Sequence, residues 1–461
     1  MIYKYGTSGF RYKSKILINI SNKIGKYLAY LASREDKYIG IIITASHNPA
    51  CDNGVKIINS NGFLLLEEEE KECTDFINNK LYDPLILENN IPKILIANDT
   101  RRSGPLIKRL IIGGIKSVSD NAIIEDIGYL STPQMHYELV SINQKIKMLY
   151  ENYFFNHIQL SQNIIVDCSN GIGYKVLEDL YYENTINKKV DDYQLLNYKC
   201  GSDYICSNNC LPSFYDSHFS NNKLYAALDG DADRCIFFYK NIDFNLLNGD
   251  AISALYCLFL QKYSDFKITF IHTSYTNHGL LDYLKSLNIE CVCVSTGIKH
   301  LQKESLNHDL SVYFESNGHG SIHYKEKILN DASKELINLL KTQNQYTGDG
   351  VSHIYAVDYI LTNLNMTKDD WYNLYKNNES KLYKLVVKDR SKFKCDNNET
   401  QLIEPKNIKE ELDKLMKEYS CYIFIRPSGT EDVLRVYIEK LEENDDFNFN
   451  EIINNIKNII S

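Results

Sequence analysis

Four short apolar runs in this chain each stop abruptly at a polar loop: KYIGIIIT before ASHNP, KILIAN before DTRRSG, NIIVDC before SNGIG, and KLYAAL before DGDADR. Runs of this length, bounded by Gly or charge, predict buried strands that deliver polar groups at their carboxyl ends. Helix-like stretches lie between them, so the chain reads as α/β, a class in which ligands gather beyond the carboxyl ends of the strands. At 461 residues it is too long for one core and divides at polar stretches into domains at residues 1–150, 151–255, 256–355 and 370–461. The separators are ENYFFNHIQLSQN, NQYTGDG and NLNMTKDDWYNLYKNNES, and the acidic run at residues 67–70 reads as a solvated helix start.

Charge narrows the partners. Lys and Arg number 51 against 60 Asp and Glu, a net of −9, which gives no concentrated positive surface for a nucleic-acid backbone but leaves room for a local basic pocket around a small anion. No uninterrupted apolar run reaches the length of about 18 residues that a membrane span needs. The opening MIYKYGTSGFR has neither a basic leader nor an apolar segment long enough for a signal peptide. The 12 Cys are scattered without a CxxC pair; Cys200, Cys206 and Cys210, and Cys291 with Cys293, are the nearest clusters. Reduced, mostly buried thiols are expected ahead of a zinc site or a disulfide framework, which favours a cytoplasmic location.

Four loops carry the chemistry. In TASHNP, residues 44–49, Ser46 follows a strand beside His47, and DNGVK brings Lys56 close behind; taken alone, a turn stabilised by Ser and Asn explains it as well. In DGDADR, carboxylates alternate at Asp229, Asp231 and Asp233; three such charges repel one another unless a cation joins them as hard oxygen ligands. STGIKH, with Gly297, Lys299 and His300, and FESNGHG, with Glu315, Asn317 and His319, offer carboxylate, amide and imidazole around glycines, a set suited to sugar hydroxyls. In RPSGTEDVLRVY, Arg426, Ser428, Gly429, Thr430 and Arg435 supply the N–H and O–H donors that a dianionic phosphate takes.

With a nucleophile loop, a metal loop, a polyol loop and a phosphate loop in that order, the sequence resembles the α-D-phosphohexomutase superfamily over essentially its whole length. Within it the resemblance is to the phosphoacetylglucosamine mutase branch, whose sugar loop reads Glu, a small residue, then Asn-Gly-His-Gly, as residues 315–320 do. Bacterial relatives acting on mannose, glucose or glucosamine phosphates tend toward Gly-Glu-x-Ser-Gly-His. YGTSGFR, STPQMHY, VDCSNGIG and CGSDY look like the same branch. The resemblance implies three similar mixed α/β domains and a smaller C-terminal α+β, TBP-like phosphate-binding domain around a central cleft.

It also implies a reaction: interconversion of N-acetylglucosamine 6-phosphate and 1-phosphate through a phosphoserine at Ser46 and a bound 1,6-bisphosphate, in the supply of UDP-N-acetylglucosamine. One Mg2+ per site would be held by phosphorylated Ser46 with Asp229, Asp231 and Asp233, and a sugar 1,6-bisphosphate would act as activator. Arg11, Lys56 and Arg234 are the implied cations near the transferred group, consistent with the charge neutralisation that phosphoryl transfer requires. Lys299, His300, Gly297, Glu315 and Asn317 are implied to meet the sugar, and Arg426, Ser428, Gly429, Thr430 and Arg435 the phosphate that is not reacting. His319 is the first candidate for the general base, with Lys299, His300 and His47 as alternatives. The last domain is expected to close as a lid on a hinge around NLNMTKDD, in a monomer or weak homodimer.

Some positions depart from the family pattern: Ala97 and Asn98 replace the usual Gly-Arg before Asp99, and Arg102, Ser103 and Gly104 stand where Pro-Ser-Ser is common. Competing readings are phosphoglucomutase or phosphomannomutase specificity, a catalytically silent binding relative, and a metal-dependent phosphatase.

Overall fold

The computed structural model describes residues 2–6, 9–80, 87–88, 90–161, 163–212, 219–220, 222–428, 432–442 and 447–460. The first sheet contains β1 (Phe10–Lys13), β2 (Tyr38–Ile43), β3 (Asp52–Ile58), β4 (Lys93–Asn98) and β5 (Ile123–Tyr129) in the order β1-β3-β2-β4-β5. Helices α1 (Ser14–Ser33), α2 (Glu67–Ile77), α3 (Gly104–Lys116) and α4 (Thr132–Gln144) surround it. Strand β2 shows why an unbroken apolar run suits this place: every residue after Tyr38 is buried. Ile39, Ile41 and Ile43 pack with Leu17, Ile24 and Leu28 of α1 and Ile107 and Ile111 of α3, while Ile42 packs with Met135 and Leu139 of α4 on the other face. Two-residue alternation thus serves two cores at once, and each buried isoleucine contributes about 2 kcal/mol relative to exposure.

The second sheet holds β6 (Ile165–Asp167), β7 (Thr185–Ile186), β8 (Tyr225–Leu228), β9 (Cys235–Lys240) and β10 (Phe244–Leu247) in the order β10-β9-β8-β6-β7. The third holds β11 (Thr269–His272), β12 (Glu290–Cys293), β13 (Leu310–Phe314) and β14 (Gly320–Tyr324) in the order β12-β11-β13-β14. All three sheets follow one plan: parallel strands, the last of which turns back into an antiparallel neighbour, β2 into β3, β8 into β9 and β13 into β14. Those three turns are residues 44–51, 229–234 and 315–319, so the nucleophile, metal and sugar loops occupy equivalent places in three similar units.

The C-terminal part is smaller and built differently, as α+β. Strand β15 (Ser380–Val386), a ribbon of β16 (Lys394–Cys395) and β17 (Leu402–Glu404), and strands β18 (Cys421–Pro427) and β19 (Val433–Lys440) form antiparallel pairings, with β19 central between β15 and β18. Helices Lys406–Glu418 and Phe449–Ile460 close a core of their own through Leu412, Leu415, Ile452 and Ile456. No helix among the described residues is long and apolar enough to cross a membrane. All twelve cysteines are free.

Three expectations change. The division at residues 255 and 256 falls inside the helix Gly249–Tyr263, and the end at 355 falls inside Gly350–Leu364. Both helices pack in one continuous core that also contains Phe237, Phe270 and Trp371. The segment NLNMTKDD is no hinge: Thr367 caps the helix Lys368–Tyr372, and buried Trp371 donates from Nε1 to the carbonyl of Ala251 at 2.8 Å. The run at residues 67–70 does start α2, yet Glu70 is buried rather than solvated, because Lys299 reaches its Oε2 at 2.6 Å.

Candidate active site

Ser46 lies at the start of the turn after β2, fully buried, with φ of 52°. A left-handed serine is uncommon and persists only where its surroundings fix it. Its amide donates to Thr44 Oγ1 at 3.0 Å, and the Thr44 hydroxyl donates to Asp99 Oδ2 at 2.7 Å. Its carbonyl accepts from Arg101 Nη2 and from Asn197 Nδ2, both at 2.8 Å. The hydroxyl is left pointing at chemistry: Oγ donates to Asp229 Oδ2 at 2.6 Å and lies 3.4 Å from His47 Nδ1.

Asp229, Asp231 and Asp233 converge as their spacing suggests, each buried, with one oxygen from each within 4.8 Å of the others. Lys56 Nζ donates to Asp231 Oδ2 and Asp233 Oδ2, both at 2.7 Å, and Thr132 Oγ1 donates to Asp231 Oδ2 at 2.6 Å. Burial, together with Asp233 and Asp231, pushes the Asp229 carboxyl well above the usual range, whereas Lys56 overcomes burial to hold Asp231 far below it. The remaining oxygens, Asp231 Oδ1 and Asp233 Oδ1, are buried with no hydrogen-bond partner. Lys56 satisfies only one oxygen of Asp231 and one of Asp233, and unpaired buried oxygens cost free energy. The residues therefore fit a divalent cation of the hard, oxygen-seeking kind.

Two guanidinium groups face the same place. Arg234 Nε is 3.8 Å from Asp229 Oδ2 and from Asp233 Oδ1, too far to bond, and is buried without a partner. Burial and the charge of Arg234 hold the Arg11 guanidinium below its usual value. Like charges brought together beside a nucleophile make a site for an anion. The same two arginines, after burial, hold the His47 imidazole well below its ordinary value, so it is neutral.

The sugar loop meets the metal loop through backbone. Cys235 N donates to Gly318 O at 3.2 Å, and Gly318 has φ of 85°; a Cβ there would sit 1.9 Å from the Cys235 carbonyl oxygen. Only glycine permits that approach. His319 is buried with Nδ1 3.9 Å from Asp233 Oδ1, its Nε2 unpartnered, and burial lowers its pKa to about 4. Asn317 Nδ2 donates to Glu315 Oε2 at 3.4 Å, and burial raises the Glu315 carboxyl. Gly297 precedes the helix Ile298–Ser305, which points Lys299 toward Glu70 and sets His300 Nε2 3.8 Å from Glu67 Oε1, so both contact α2.

In the C-terminal unit, Arg426 and Arg435 are directly paired across β18 and β19, which places two positive side chains on one face. Such a pair is unfavourable until an anion joins it. Ser428 donates its amide to Val433 O at 2.8 Å and accepts at its carbonyl from Arg390 Nη1 at 2.7 Å. Gly429 and Thr430 lie outside the described residues.

A family model described as phosphoacetylglucosamine mutase AMG1, domain III, matches residues 248–366, and its domain II counterpart matches 126–236. Models of phosphoglucomutase/phosphomannomutase domain I and C-terminal domain match 26–83 and 391–446. A phosphoacetylglucosamine mutase of Candida albicans is 35% identical over 96% of this chain and 94% of its own length. The chain belongs to the phosphoacetylglucosamine mutase family. Among solved structures, the Aspergillus fumigatus N-acetylphosphoglucosamine mutase in complex with GlcNAc-6P and magnesium superposes with a TM-score of 0.91 at 30% identity, covering 100% of this chain and 96% of that one. A substrate complex of an N-acetylglucosamine-phosphate mutase gives a TM-score of 0.89 at 32% identity, with the same coverage.

For this family member, sequence reasoning left three residues without a role. Arg101 holds the nucleophile loop from beneath, Asn197 reaches the same loop from the second unit, and Thr132 braces Asp231. Thr132 carries a local signal, since STPQ is a helix start in which Ser131 and Gln134 form a capping box. DTRRSG marked a loop but not its target, and nothing local marks Asn197.

Proposed function

We propose that this protein interconverts N-acetylglucosamine 6-phosphate and 1-phosphate, with Ser46 as the phosphorylated nucleophile. The observation that carries the reading is the Ser46 hydroxyl bonded at 2.6 Å to one of three converging aspartates, whose loop is joined through backbone to ESNGHG. The relatives' printed names and their complexes with GlcNAc-6P and magnesium support the substrate and the ion. Asp229, Asp231 and Asp233 would hold Mg2+ together with phosphorylated Ser46; the ion supplies charge neutralisation at the transferred phosphoryl oxygens.

Everything else falls to side chains. Arg11 and Arg234 neutralise the phosphoryl oxygens on the open side of Ser46. Lys56 stays beneath the aspartates and holds Asp231 and Asp233 in place. The phosphoserine gives its phosphoryl group to a sugar hydroxyl, the bisphosphate turns over, and the other phosphate returns to Ser46. A sugar 1,6-bisphosphate primes the serine as activator, and a solved structure of an Aspergillus fumigatus relative holds glucose 1,6-bisphosphate. Glu315 and Asn317 hold ring hydroxyls in both orientations, with Gly297, Lys299 and His300 on the facing wall. Arg426, Ser428, Gly429, Thr430 and Arg435 hold the idle phosphate, so its binding positions the reacting oxygen.

His319, from the sugar loop, takes the proton of the attacking hydroxyl, and His47 Nδ1, 3.4 Å from Ser46 Oγ, serves the serine oxygen. Lys299 is the weaker choice, since its Nζ is engaged by Glu70 Oε2 at 2.6 Å. The units are best divided ahead of Gly249 and after Tyr375, with the C-terminal unit as a closing lid. Action as a monomer or weak homodimer is part of the same proposal. Twelve free thiols support a reducing, cytoplasmic setting.

Phosphorus NMR tests this in one tube: purified protein, Mg2+, a trace of sugar 1,6-bisphosphate, and equimolar 6-phosphates of N-acetylglucosamine and glucose. Preferential growth of the N-acetylglucosamine 1-phosphate signal, absent in Ser46→Ala, is expected. A glucose preference would transfer the chain to a sister specificity, released phosphate would make it a phosphatase, and silence would sink catalysis altogether.

A further inference from the structure

Glu399 occupies the turn between β16 and β17 with a left-handed backbone, φ 51°. The turn is tied within itself, since Asp396 Oδ1 accepts from Thr400 N at 2.6 Å, and tied to the third unit, where Ser274 Oγ donates to the Glu399 carbonyl at 2.7 Å. Ser295 Oγ donates to the Asn397 carbonyl at 2.8 Å. These contacts set the Glu399 carboxylate between two donors from different units: Arg426 Nη1 and the backbone N–H of Thr296, each 3.1 Å from Oε2. Two more polar atoms at this junction, Arg426 Nε and Thr296 Oγ1, are buried without partners. A carboxylate offers two oxygens and one charge; a phosphate offers three oxygens and nearly two charges, enough to meet every donor here.

We propose that Glu399 is a built-in phosphate mimic, which fills the anion subsite between Arg426 and Thr296 when no phosphosugar is bound and is displaced when one arrives. The inference rests on the mutase reading and adds a residue that sets affinity for the idle phosphate. Because the carboxylate competes for Arg426, the apparent affinity is reduced by the fraction of time the subsite is filled from within. The competition serves a reaction in which the intermediate must let go of this subsite in order to turn over. It also joins the C-terminal unit to the third unit through the same carboxylate that the phosphate replaces.

Calorimetric titration of the full chain with inorganic phosphate tests it, comparing wild type, Glu399→Gln, Arg426→Gln and the double variant. Glu399→Gln is expected to bind phosphate about threefold to tenfold tighter, to lower KM for the phosphosugar, and to lose the gain when Arg426 is also replaced. Glu399 lies on a surface turn, and a thermal scan of each variant verifies the fold. Unchanged or weaker phosphate binding in Glu399→Gln would overturn the mimic, as would a gain that survives loss of Arg426. Turnover of wild type is measured separately: active wild type with unchanged Glu399→Gln affinity defeats this inference alone. Inactive wild type defeats the mutase reading, while the phosphate titration still decides the subsite.

Discussion

Arg101 donates from Nη2 to the carbonyl of Ser46 at 2.8 Å, across 55 residues of sequence. The same fully buried guanidinium serves the carbonyls of Asn48, Pro49 and Asp52 at 2.8, 2.7 and 3.0 Å, and Asp99 Oδ2 accepts from its Nε at 3.1 Å. One planar fork therefore sets the path of the whole nucleophile turn, including the left-handed φ of Ser46. Asn197 adds a second hold on the Ser46 and Asn48 carbonyls, so the first and second units meet at the nucleophile itself.

Replacing Arg101 by Lys keeps the charge but loses the planar fork. We expect kcat to fall about 100-fold, the scale of a misplaced reacting group, with KM little changed. Steady-state turnover and urea unfolding would separate this from simple loss of fold; kcat within a factor of about two of wild type would refute the positioning role.

Removal of divalent ions is expected to abolish turnover and lower Tm, and Mg2+ to restore both, because Asp231 Oδ1 and Asp233 Oδ1 have no partner inside the protein. At a hundredfold excess over Kd the ion adds about 2.7 kcal/mol to stability. Full activity in a chelator would contradict the metal assignment of DGDADR.

Gly348 lies against the first candidate for the general base. A Cβ there would approach His319 Cδ2 to 2.3 Å and the Asp233 carbonyl oxygen to 2.6 Å. Gly348→Ala should therefore push the imidazole out of place and cut kcat by about tenfold or more, while far-UV circular dichroism stays native. Unimpaired turnover would argue that the position of His319 is unimportant.

His353 is buried between Tyr256 OH, 3.1 Å from Nδ1, and the Gly320 carbonyl, 3.0 Å from Nε2, and burial lowers its pKa to about 3. Below the unfolded value near 6.5 the unfolded chain binds a proton that the folded chain refuses, so its stabilising contribution is full above that pH and is lost as pH falls toward 3. His353→Gln cannot titrate. Its stability deficit relative to wild type should shrink by about 1.4 kcal/mol per pH unit below 6.5, read from urea unfolding at pH 7, 6 and 5; a constant gap would contradict a buried neutral imidazole.

Consecutive residues already determined much of this protein. The apolar runs predicted the strands that carry the loops, since strand burial is written in adjacent positions, and TASHNP, DGDADR, ESNGHG and RPSG each advertise a donor or ligand set within a few residues. Their combined order pointed to the family and hence to the fold. What only tertiary structure decided is which groups meet. Lys56 belongs beneath Asp231 and Asp233, Glu70 of a seemingly solvated run pairs with Lys299, Trp371 is fixed against Ala251 where a hinge was expected, and Glu399 rests on Arg426. The reason is physical: periodicity and turn chemistry act over neighbours, whereas these pairings join residues from 27 to 229 positions apart and exist only once three sheets and a fourth unit have packed their loops toward one another.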